Sequence, residues 1–180
     1  MDRADKMELL HAALRNDNAT EFARLLKRFP DCRYDGAGDD YWMSAVAMRG
    51  KLWAIELLVA RGADVNRPSN STDSVPSPEG PIVYAANNGH MDVVRYMLDR
   101  GAEINHMIEG RVRCQALVGA AIWGHLDVVK LLVERGAAVN AVWAEMTPLD
   151  QSELHGRDEV AAYLRSIGWK TAAELGESAS

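Results

Sequence analysis

The sequence predicts an all-α solenoid of about five helix-turn-helix units with projecting turns, and three observations predict it. The string Gly119–Asn140, Gly-Ala-Ala-Ile-Trp-Gly-His-Leu-Asp-Val-Val-Lys-Leu-Leu-Val-Glu-Arg-Gly-Ala-Ala-Val-Asn, recurs at Ala85–Asn105 as Ala-Ala-Asn-Asn-Gly-His-Met-Asp-Val-Val-Arg-Tyr-Met-Leu-Asp-Arg-Gly-Ala-Glu-Ile-Asn. Small residues that anchor such strings stand at positions 13, 46, 85, 120 and 152, at intervals of 33, 39, 35 and 32 residues. A regular period of this size is the mark of stacked repeats. Within each string the apolar residues fall on one helical face, as Leu126, Val129, Leu132 and Val133 do, and a glycine then ends the helix.

Taken in order, the first unit, roughly 7–34, carries Leu10-His11-Ala12-Ala13 and then Phe22, Leu25 and Leu26. It closes on Phe29-Pro30 rather than Gly-Ala, as expected of an end unit with one neighbour to bury against. The second, 39–67, has Met43 to Gly50, then Ile55, Leu58 and Val59, and closes on Arg61-Gly62-Ala63-Asp64-Val65-Asn66. Residues 67–80 hold three prolines and almost no apolar side chains, which is loop composition and accounts for the interval of 39 as an insertion. The third and fourth units, 79–106 and 113–140, are regular, and His106 to Cys114 between them forms a second lengthened turn.

The fifth unit, 146–170, opens on Thr147-Pro148-Leu149-Asp150, where proline in the first helical turn lacks only an N–H that would have no partner. It runs through Val160, Leu164 and Ile167 to Gly168-Trp169. Ser152-Glu153 and Arg165 are polar intrusions at core positions and mark a C-terminal cap. Ten helices are expected in all, in a single domain over 1–170, with 171–180 as a disordered tail.

The repeated Gly-His-x-Asp-Val-Val, Arg-Gly-Ala and Thr-Pro-Leu strings resemble the ankyrin repeat over roughly residues 7–170, most closely in units three and four. The resemblance implies hairpin-like turns projecting to one side. It also implies a concave groove, lined by turn tips and the exposed ends of the first helices, where a protein partner binds.

The charge narrows the partner. A net charge of −6 argues against a general nucleic-acid or anionic-membrane surface, which needs local positive charge, whereas a basic protein is easily accommodated. No apolar run approaches the ~20 residues of a membrane span, and the charged N-terminus has no secretory h-region, so the expected location is the cytoplasm. Cys32 and Cys114 lie far apart without ligand spacing and are expected to be reduced thiols.

No phosphate-binding loop, nucleophile elbow, zinc-protease helix or calcium loop is present, so neither catalysis nor a cofactor or metal is expected. For Gly89-His90-Met91-Asp92 and Gly124-His125-Leu126-Asp127 the resemblance implies turns between the two helices, with histidine bonding locally or across repeats and aspartate favouring the positive helix end.

Candidate partner-binding residues are those the fold does not need. The two positions before each turn glycine are Met48-Arg49, Asn87-Asn88, Ile122-Trp123 and Leu154-His155, with Trp123 beside Ile122 the leading binding-energy candidate. Trp42, Trp143 and Met146 extend the strip or fold back onto packing residues such as Trp53. With Arg111 and Arg113 in the third turn and Asp39, Asp40 and Glu79 in earlier ones, the groove is expected to be acidic at its N-terminal end and basic-aromatic at the other.

A repeat protein with little else attached is expected to act by covering its partner, as a stoichiometric inhibitor. In build it resembles the ankyrin-repeat immunity proteins that neutralise toxins. The alternatives are a scaffold or assembly chaperone, self-association through Trp123 and Trp143, or an enzyme using the inserted turns around His106 and Cys114. The free chain is expected to be a monomer.

Overall fold

The computed structural model describes residues 3–29, 41–67, 80–108, 111–138 and 146–177. Among them the chain forms five helix pairs: α1 (Arg3–Arg15) with α2 (Ala19–Arg28), α3 (Tyr41–Met48) with α4 (Leu52–Val59), α5 (Pro81–Asn87) with α6 (Met91–Asp99), α7 (Gln115–Trp123) with α8 (Leu126–Glu134), and α9 (Pro148–Leu154) with α10 (Asp158–Ser166). The all-α solenoid predicted from the sequence is the fold observed.

Composition explains the stacking. The first helices of units two to four are rich in Ala and Gly on their buried faces (Ala45, Ala85, Ala86, Ala116, Gly119, Ala120, Ala121), and that of unit five buries the small Ser152, so their backbones approach closely. The second helices interpose larger side chains, among them Ile55, Leu58, Val94, Met97, Val129, Leu132 and Leu164. Accordingly α3, α5, α7 and α9 pack on one another far more closely than α4, α6, α8 and α10 do. The row of first helices is thus the inner, concave row of the stack. One core of buried residues runs from Leu10 to Trp169.

The lengthened turn between units three and four is a two-stranded antiparallel hairpin, β1 (His106–Ile108) and β2 (Arg111–Arg113), with His106 opposite Arg113. The insertion predicted at 67–80 lies outside the described residues from 68 to 79. Its two ends meet, since the Asn66 carbonyl oxygen stands 3.6 Å from where a Cβ on Gly80 would lie.

Neighbouring units are tied by asparagines that close the repeats. Asn66 donates to the Gly101 carbonyl (2.9 Å) and accepts from the Glu103 N–H (2.8 Å), and Asn105 makes the same pair with Gly136 (2.9 Å) and Ala138 (2.8 Å). Each satisfies backbone groups just beyond a helix end that have no helical partner.

The C-terminal end departs from expectation. Residues 172–177, assigned to a disordered tail, form an eleventh helix among the described residues, α11 (Ala172–Glu177). Thr171 and Glu174 box its N-terminus: the Glu174 carboxylate accepts from the Thr171 N–H (2.6 Å) and hydroxyl (3.0 Å). The signal was in the sequence, because Thr-x-x-Glu is a capping box. Arg165, which replaces a core leucine, is exposed and pairs with Glu153 (2.6 Å) and Glu174 (3.6 Å), fastening α10 to α9 and α11.

Candidate partner-binding surface

Each inner helix ends in a tight turn whose pivot residue has positive φ: Asp17 (51°), Gly50 (63°), Gly89 (72°), Gly124 (79°) and Gly156 (63°). The residue after each pivot begins the second helix, and from the third unit on it bonds back across the stack. His90 Nε2 lies 3.1 Å from the Met48 carbonyl oxygen and His125 Nε2 3.1 Å from that of Asn87; Arg157 Nε donates to that of Ile122 at 2.9 Å. Lys51 occupies the same place in unit two and pairs instead with the Asp17 carboxylate at 2.7 Å. The two Gly-His-x-Asp strings are therefore a joint between repeats, the cross-repeat one of the two bonding modes that the resemblance implies.

The residues one step before the pivots form a row along the inner face. Three of them turn back on their own helix: Arg49 donates to the Ala45 carbonyl (3.0 Å), Asn88 to that of Tyr84 (2.8 Å), and His155 Nδ1 meets that of Gln151 (2.9 Å). The first two bonds satisfy carbonyls that the helix end leaves open, and the third joins the His155 N–H on a carbonyl that already accepts it. Trp123 is the fourth member of the row and makes no such bond. It is 57% exposed, and Leu154 at the end of α9 and Met48 at the end of α3 are 68% and 41% exposed. Ile122 beside it is half-buried.

Trp123 walls an open cleft of about 310 Å³, whose other lining residues are Gly124, Gly156, Arg157, Asp158, Glu159 and Val160. Arg157, Asp158 and Glu159 escaped the sequence reading. The available signal was alignment: Asp158 stands where Leu52, Met91 and Leu126 open the preceding second helices.

Other candidates fall elsewhere. Trp42 is not a groove residue: it is 1% exposed, with its ring 5.5 Å from Phe22 edge-on and 4.8 Å from the His11 ring. Phe22 in turn meets Trp53 edge-on at 5.6 Å. The aromatic at the opening of unit two thus seals the interface with the N-terminal cap. Asn87 is half-buried and its Oδ1 is enclosed, pressed so near Gly119 on α7 that a Cβ there would meet it. Met146 is half-buried and its sulfur accepts from the Gln151 amide at 3.5 Å.

Arg113 does not project from the hairpin freely: it is half-buried, with its Nε shielded from solvent. The side chain of Arg111, and Asp39, Asp40, Glu79, Trp143 and Cys32 entirely, lie outside what is described. The expected basic-aromatic end of the groove rests in part on Arg111 and Trp143, outside what is described, while Asp158 and Glu159 set carboxylates in the cleft beside Trp123.

Chemistry around His106 and Cys114 meets an obstacle. Cys114 is buried at the start of α7, and burial pushes its thiol up to about 11, against weaker lowering by the Leu117 and Ala138 N–H groups. A thiol so protonated is a poor nucleophile at neutral pH. His106 is held by Glu103, its Nδ1 3.4 Å from the carboxylate. Among the described residues no cluster of His, Cys, Asp and Glu is placed to hold a metal ion, and no helix is long and apolar enough to cross a membrane.

Comparison with known proteins agrees with this geometry. No curated protein matches the chain. The family model for ankyrin repeats, in three copies, matches residues 82–172, half of the sequence and the units in which the cross-repeat joints and the Trp123 cleft lie. Ankyrin repeats are protein-interaction modules, and this chain belongs to the ankyrin-repeat family.

Proposed function

We propose that the chain binds a partner protein on its inner face around Trp123 and, by covering that partner's surface, acts as a stoichiometric inhibitor, as an immunity protein does to a toxin. The observation that carries the binding site is Trp123 itself. In a row where Arg49, Asn88 and His155 spend their polar groups on their own helix ends, it presents an indole to solvent beside Ile122 and Leu154. Exposed aromatic anchors of this kind are where interface binding energy concentrates, with truncation costing about 2 kcal/mol or more.

The acidic balance supports a basic partner, whose approach it would accelerate in a salt-sensitive manner. The free chain is read as a monomer, with the partner and not a second copy covering Trp123, in the cytoplasm.

The experiment is capture from host lysate with the native chain and with Trp123→Ala, followed by titration of the captured protein's activity. A partner held by the native chain, lost by the variant and silenced at one equivalent supports inhibition. A partner held but left active turns the reading towards a scaffold or chaperone, and a partner held equally by both chains moves the site off this face.

A further inference from the structure

The cleft beside Trp123 departs from the repeat at two aligned positions together. Trp123 stands where the inner helices of units two, three and five carry Arg49, Asn88 and His155, and Asp158 stands where the second helices of units two to four begin with Leu52, Met91 and Leu126. Both face one open space of about 310 Å³. Packing within the stack requires neither, since Trp123, Asp158 and Glu159 are all exposed.

We propose that this cleft receives a basic side chain of the partner protein, arginine in preference to lysine. The inference rests on the protein-binding reading and names what that surface recognises. The indole offers a π face to a cation. Asp158 and Glu159 offer two carboxylates that meet no cation or hydrogen-bond donor side chain among the described residues, unlike Asp17, Asp99 and Glu153, which are paired with Lys51, Arg135 and Arg165.

Arg157 is the one cation in the lining. Its Nε is committed to the Ile122 carbonyl and its Cδ lies over Gly124, so it forms a wall, and one positive charge faces two negative ones. Gly156 leaves its side of the mouth free, with nothing within 4 Å of where a Cβ would lie, and buried Val160 supplies an apolar contact for a methylene stem. The volume lies at the small end of ligand cavities, about 300 Å³, which suits one long side chain rather than a folded element. Arginine is favoured because its planar guanidinium stacks on an indole while its N–H fork reaches carboxylates, and lysine offers only a point charge.

The test is selection of a random-peptide phage library on the purified native chain, with the selected peptides then measured on Asp158→Asn/Glu159→Gln and on Trp123→Ala, each verified as folded by circular dichroism. The expected peptides are enriched in arginine over the input library. They bind the charge variant about tenfold more weakly and weaken as salt is raised. Peptides without basic enrichment, peptides that bind the charge variant as well as the native chain, or a selection that yields no binder would each overturn the proposal. Peptides lost on Trp123→Ala but kept on the charge variant overturn the basic-side-chain assignment alone and leave the protein-binding surface standing. Peptides indifferent to both variants remove the surface as well.

Discussion

His125 of the fourth repeat sits directly over Gly89 of the third: its Nε2 lies 3.1 Å from the Asn87 carbonyl oxygen, and a Cβ added to Gly89 would stand 2.6 Å from its Nδ1. Gly89 also has φ of 72°, a region in which a Cβ is strained. Two demands, backbone and neighbour, therefore fall on one residue. Gly136 isolates the first of them, because its φ is 90° and nothing lies within 4 Å of an added Cβ.

Gly136→Ala is expected to cost about 1–2 kcal/mol, the strain of the left-handed backbone. Gly89→Ala should cost about 1 kcal/mol more, because the His125 ring must leave its carbonyl. Urea denaturation of the two variants measures the difference. In a His125→Ala background the excess should vanish; if it persists, the ring is not what Gly89 accommodates.

Trp42 and Trp123 carry the same side chain to opposite ends of the burial scale. Trp42→Ala opens a cavity against Phe22 and His11 and should cost about 3–5 kcal/mol of folding stability. Trp123→Ala removes an exposed ring and should stay within about 0.5 kcal/mol. Guanidinium melts of both variants check the assignment. A stable Trp42→Ala protein would return that residue to the surface.

The contrast shows where the sequence was readable. Periodicity and the turn glycines gave the helix pairs, because each repeat obeys the same local rules and errors in one are corrected by the next. Trp123 and Leu154 were legible for the same reason, as apolar side chains at places a repeat leaves exposed. Trp42 was not, because the position that is a turn proline in a regular repeat is an interface plug in this cap, and only the neighbours Phe22 and Trp53 reveal it. Asn87 likewise looks exposed until Gly119 on the next helix is seen to make room for it. Asp158 could have been found by aligning second-helix starts, while the joining of its cleft to Trp123 is a matter of stacking that no single string contains.

Asp150 links the start of α9 to α11. Its carboxylate accepts from the Thr147 N–H (2.8 Å), the Thr147 hydroxyl (2.6 Å) and the Ala172 N–H (2.8 Å). Burial alone would raise its pKa, but these donors together outweigh it and hold the carboxyl below its ordinary value. A depressed folded value means the contribution is full above the unfolded carboxylate pKa, about 3.9, and is lost as pH falls from there through the folded value. Asp150→Asn should therefore cost about 1 kcal/mol at neutral pH and progressively less in acid. Denaturation of the native and variant chains from pH 7 down to about pH 3 reads this; a cost that does not shrink in acid would mean that charge is not what Asp150 contributes.

Cys114 makes the last prediction. With its thiol buried and pushed up to about 11, very little thiolate exists at neutral pH, and reagent must wait for the α7 start to open. In a Cys32→Ser background, which leaves Cys114 as the single thiol, an aromatic disulfide reagent should react at least ~100-fold more slowly with the native chain than with free cysteine, and fully once the chain is unfolded. Rapid labelling of the folded protein would contradict this burial and reopen the hairpin region as a place for thiol chemistry. Slow labelling that tracks global unfolding would leave His106 and Cys114 as structural residues at the joint between the third and fourth repeats, and keep the search for function on the face that Trp123 occupies.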